Sequence, residues 1–157
     1  MKKITLKSLV STMALAALIL TPASLSAQPR ASLEGAWDLQ VTNTDCNGNI
    51  FAAFRSFQAF HQGGTVTITG NLNSPALGGP GLGTWQRTPG MRTFTSPIQF
   101  FTFNPDGSFA GTVKIDPQIH LSADGNSYTD TETFAVYDPD GNLVFSGCGT
   151  EVATRLP

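Results

Sequence analysis

The sequence predicts an all-β fold: one eight-stranded antiparallel up-and-down barrel carrying a single disulfide. Three observations lead there. After residue 34 no segment keeps a helical period, and apolar and polar residues alternate instead. Eight such runs are separated by Gly-, Asn- and Asp-rich turn chemistry. The first and last runs also share a register: the residue numbers of Cys46 and Cys148 add to 194 and those of Trp37 and Arg155 to 192, near-constant as antiparallel neighbours require, give or take a bulge.

The runs follow in order. Gly35–Thr44 places Trp37, Leu39 and Val41 on one face, and Asp45 to Asn49 turns the chain. Phe51–His61 leads through Gln62-Gly63-Gly64 into Thr65–Gly70. Residues 71–82 form a Gly/Pro-rich loop, which reads either as a plain surface loop or as a lid at the barrel mouth. Gly83–Arg87 and Thr93–Phe103 follow, the second interrupted by Pro97, which has no N–H for a sheet ladder and so marks an edge, bulge or bend. The last three runs, Ser108–Ile119, Ser127–Tyr137 and Leu143–Arg155, each begin just after an Asp-Gly turn, where glycine supplies the positive φ. The barrel is expected to span about residues 33–156.

The first 27 residues read differently. Lys2, Lys3 and Lys7 precede the apolar stretch Leu9–Leu20, then Pro22 and the small residues Ala23, Ser24, Ser26 and Ala27. That order is a secretory signal peptide, too short in its apolar part to span a membrane, with cleavage after Ser26 or Ala27. Residues 28–157 would then be one domain, periplasmic or secreted, with no stable membrane span. The whole chain carries 9 Lys+Arg against 11 Asp+Glu; without the three signal lysines the balance is 6 against 11, a net of −5. Lys114 is the single lysine left, so no basic patch remains to track nucleic acid. In an oxidising compartment two cysteines point to one disulfide, Cys46–Cys148, closing a loop of about 100 residues.

Gly35-Ala36-Trp37 opening the first strand, with Arg155 near the end of the last, resembles the lipocalin-type (calycin) barrels. In that family a G-x-W motif starts the first strand, its Trp closes one end of the barrel, and an Arg from the last strand lies over the ring, a favourable cation–π stack. The resemblance implies a cavity for a small hydrophobic ligand. The family's C-terminal helix and its central T-D-Y-type motif have no counterpart here. The segments Gly78–Trp85, Asn104–Phe109 and Leu121–Ser127 are similar to small exported bacterial proteins of uncharacterised function. Allene-oxide-cyclase-like barrels share the eight-strand outline, which keeps an enzyme in play.

Several motifs lead nowhere. Gly78-Gly79-Pro80-Gly81-Leu82-Gly83 lacks the Gly-Lys-[Ser/Thr] ending of a phosphate loop. The Asp-rich turns do not match a calcium-loop pattern. His61 and His120, both beside turns, have no ligand-like spacing, so no metal is expected, and no cofactor. The aromatic content says more: all 11 Phe lie after residue 50. Phe57, Phe100, Phe109 and Trp85 are the candidates for lining an apolar ligand site.

Run seven sets Tyr128, Asp130, Glu132 and Phe134 on one face. Pairing it with run six about Asp124-Gly125 brings Asp116 near Glu132 and His120 near Tyr128. Turned inward, His120, Tyr128, Glu132 and Asp116 are catalytic candidates with raised carboxyl pKa. Turned outward, they are a solvated face, which is the expectation here because burying charge is costly. The chain therefore reads as an exported barrel binding a small hydrophobic molecule. The alternative is a cofactor-free isomerase, cyclase or lyase acting on a small apolar substrate inside it.

Overall fold

The computed structural model describes residues 31–157; residues 1–30, on which the signal-peptide reading falls, lie outside the described part. Ten strand segments form one sheet: β1 (Gly35–Thr44), β2 (Ile50–Phe60), β3 (Thr65–Gly70), β4 (Gly81–Thr84), β5 (Gln86–Arg87), β6 (Thr93–Thr95), β7 (Ile98–Phe103), β8 (Phe109–Leu121), β9 (Ser127–Tyr137) and β10 (Leu143–Arg155). All pairings are antiparallel, and those of β1 with β10 and β8 with β9 close the sheet on itself.

The ten segments occupy eight barrel positions, because two strands are broken. β4 and β5 are parted at Trp85; β6 and β7 are parted at Ser96-Pro97. β6 pairs with the end of β8 and β7 with its beginning, so together they run the length of that strand. Pro97 stands where the sequence places an interruption. Pro117 of β8 faces the same break, so two residues lacking an N–H share one gap in the ladder.

The closing seam keeps one register from Trp37↔Arg155 to Thr44↔Cys148. Cys46 sits two residues beyond β1 with φ 65°, and its disulfide to Cys148 clamps the seam at that end. The Asp-Gly turns also show their purpose. Asp138 Oδ1 accepts the backbone N–H groups of Asp140 and Asn142 at 3.0 and 2.8 Å, and Asp124 Oδ1 accepts that of Asn126 at 3.1 Å. The Ser122 hydroxyl also donates to Asp124 and the Asn142 side-chain amide to Asp138, and these side-chain bonds first, with the backbone ones, favour the ionised form and hold both carboxyls below the usual carboxylate range.

One end of the barrel is packed solid. Trp37 is fully buried among Leu33, Leu39, Phe60, Phe94, Leu121 and Tyr128, and its Nε1 donates to Leu33 O at 2.8 Å. The Arg155 guanidinium lies 4.2 Å over the Trp37 ring and donates to Glu34 O, Ser32 O and Gly125 O at 2.5, 2.8 and 2.8 Å. Arg155 thus ties the segment before β1 across the barrel end like a strap.

Candidate functional site

The other end is hollow. A cavity of about 530 Å³ lies between the sheet interior and the 70–81 segment. Its walls are Phe54, Ile68, Phe100, Ile115, Phe134 and Val136. Phe51 and Phe145 stand at the mouth, their rings 5.7 Å apart and each about 6 Å from Phe134. The 71–80 loop covers the cavity with Leu72, Asn73 and Pro75, and is pinned to β7 by Gly79 N to Phe101 O at 3.1 Å and Phe103 N to Leu77 O at 2.9 Å. Inward-facing glycines make part of this space: a Cβ on Gly81 would meet Ile68 at 2.4 Å, and one on Gly147 would meet Phe134 at 2.5 Å.

The floor is polar. Asn43, Glu132 and Glu151 face the cavity, and Asp130 lies directly beneath. Alternation along β9 turns Asp130 and Glu132 inward; the β9–β10 ladder sets Glu151 opposite Asp130. Ligating oxygens of Asp130, Glu132 and Glu151 lie within 4.8 Å of one another. Gly149 leaves room for the group: a Cβ there would meet Glu132 Oε1 at 2.5 Å and Asn43 Oδ1 at 3.1 Å.

Among the described residues nothing cationic answers these acids. The only ion pair among the described residues, Arg55 with Asp38, is on the outer surface. Both Asp130 oxygens, Glu132 Oε2 and Asn43 Oδ1 are buried without a hydrogen-bond partner among the described residues. Burial pushes the Asp130 carboxyl up to about 6; burial and the neighbouring Asp130 charge push Glu132 to about 8. Burial, reinforced by the same neighbours, drives Glu151 well above the usual range. At neutral pH the cluster holds protons, and two carboxyls this close bond only by sharing one. Below it Tyr128 OH donates to Gln58 Oε1 at 2.5 Å; burial raises its pKa, and the acids add to the shift.

The expectation of a solvated 128–134 face is overturned: this face is the interior. The pairing of Asp116 with Glu132 and His120 with Tyr128 is also corrected. Asp116 lies opposite Thr133 and His120 opposite Thr129, while Pro117 and Leu121 face Glu132 and Tyr128. Ser122 and Ser127 close a four-residue turn, and the one-residue difference in register sends Asp116 and His120 to the outside. His61 is exposed as well, with Nε2 3.1 Å from Thr67 Oγ1. Of the proposed ligand-lining residues, Phe100 faces the cavity. Phe57 and Phe109 do not: both are on the outer surface, Phe57 5.2 Å from the Arg55 guanidinium and Phe109 stacked edgewise on Phe101. Trp85 packs between Phe60 and Phe94 at the closed end.

Asp130, Glu151 and Asn43 on the floor, with Phe54 and Phe134 on the walls, are residues that sequence reasoning did not single out. The Trp37–Arg155 register already implied Glu151 and Asn43, since it pairs Glu151 with the inward Val41 and makes Asn43 the next inward residue of β1.

Comparison with protein-family models, with curated proteins and with solved structures gives no match for this chain.

Proposed function

We propose that the protein is an exported, lipocalin-like binding protein that holds a small, mainly apolar molecule inside the barrel. The observation carrying this reading is a continuous cavity, phenyl-walled and opposite the Trp37 plug, of a size that suits one small ligand. A packed end supplies stability, while a hollow end admits a molecule without breaking any strand pairing. Phe100, Phe134 and Phe54 are the proposed contact residues.

Mass spectrometry of organic extracts from natively purified protein tests the reading, together with titration of an apolar fluorescent probe. One-to-one probe binding, displaced by the extracted molecule, is expected; a barrel that takes up no apolar probe rules the reading out. Export itself is tested by intact mass: exported protein should lack residues 1–26 or 1–27.

A second reading has one observation in its favour. Glu132, with its carboxyl raised to about 8, borders the cavity and has the properties of a general acid or base for an isomerase, cyclase or lyase. Neither His61 nor His120 joins it, and the Tyr128 hydroxyl is engaged by Gln58. Binding is therefore the better-supported function.

A further inference from the structure

The floor of the cavity says which kind of apolar molecule fits. Three carboxyl side chains and the Asn43 amide oxygen converge there, each residue more than nine-tenths buried. Four of their oxygens lack a partner among the described residues. Asn43 is the independent witness: it is not acidic, it borders the cavity, and its Oδ1 approaches the same point above Gly149 as Glu132 Oε1. The protons held on Glu132 and Glu151 are the carboxyls' few donors, and oxygens that can only accept outnumber them. A buried surplus of this kind is costly unless a donor fills it.

We infer that the ligand is an organic cation, an apolar amine whose ammonium sits among Asn43, Glu132, Glu151 and Asp130 and whose hydrocarbon body lies along Phe54, Phe100 and Phe134. The inference rests on the cavity-binding reading above. An ammonium offers three N–H donors and a positive charge, and so meets both deficits at the floor. A carboxylate ligand such as a fatty acid would bring a fourth acid to the cluster and is disfavoured. A bare metal ion would satisfy the oxygens but leave the large phenyl-walled space above them without purpose. The amine makes use of both halves of the site. As it enters, the floor carboxyls give up protons, so binding releases protons and tightens as pH rises through the range in which Asp130 and Glu132 ionise.

The test compares octylamine, 1-octanol and octanoate by calorimetric titration of the oxidised protein at about pH 6 and about pH 8, in buffers of different ionisation enthalpy. Octylamine should bind at least about tenfold more tightly than the alcohol or the acid, more tightly at the higher pH, with proton release. Glu132→Gln should weaken octylamine by about tenfold and octanol by much less, so that the ratio of the two affinities falls while retained octanol binding reports an intact cavity. Should that variant not fold, Glu151→Gln carries the same comparison. If octanol or octanoate binds as tightly as octylamine, the inference fails and the cavity reading stands. If none of the three binds, both fail. If Ca²⁺ or Mn²⁺ binds in a Glu132-dependent way and octylamine does not, the floor is a metal site and the inference is overturned.

Discussion

Glu132 is the residue at which stability and function pull apart. Its folded carboxyl sits at about 8, above the ordinary value of 4.5, so between those values the folded state holds a proton that the unfolded chain has released. The stability it contributes is present in full below the unfolded value and is lost as pH rises through the folded one. The empty barrel should therefore melt at a higher temperature near about pH 5 than near about pH 8, as thermal unfolding monitored by circular dichroism will show. Glu132→Gln should flatten that slope and raise the melting temperature at the higher pH, because an amide is cheaper to bury than a carboxylate. Trp37 is the opposite case, a residue serving only the packed end. Trp37→Ala should cost about 3–5 kcal/mol in denaturant unfolding, as large core deletions do, because Leu33, Tyr128 and the Arg155 guanidinium all lose their main neighbour.

Among the elements, the loop between β3 and β4 covers the cavity. Its backbone is bonded to β7 through Leu77 and Gly79, while Asn73, Ser74 and Pro75 are exposed and unpaired with any strand. Removing Asn73 to Pro75 should leave the melting temperature nearly unchanged and speed the release of an apolar probe in stopped-flow measurements. Much of this level was legible beforehand. Period-2 alternation located all eight strands, and Pro97 marked the break between β6 and β7, because both signals are local. The exchange of one register for another at the β8–β9 turn was not. Asp124-Gly125 announces a turn, but the number of residues it encloses depends on how Ser122 and Ser127 pair, and a slip of one residue exchanges the inside of β8 for the outside.

For the whole molecule, the Cys46–Cys148 bond and the β1–β10 ladder are two independent fastenings of the same seam. Reduction should lower the melting temperature, by no more than about 4–5 kcal/mol of stability for so long a loop, while the far-ultraviolet β signal persists below the new midpoint. Loss of all β structure on reduction at room temperature would mean that the closed end cannot hold the barrel alone.

Two classes of property separate at this scale. The sequence by itself determined the all-β class, the turns, the disulfide and the Trp37–Arg155 closure, because each follows from alternation, turn chemistry or a register shared by only two runs. Only the tertiary structure decided which alternating face of β9 points inward, and so brought Asp130 and Glu132 together with Glu151 and Asn43 over Gly149. Local cost argues for charges outside, since a single buried carboxylate is expensive. Barrel closure imposes one parity on every strand at once, and the stability from Trp37, Tyr128 and Phe134 facing inward on their strands carries the acids in with them.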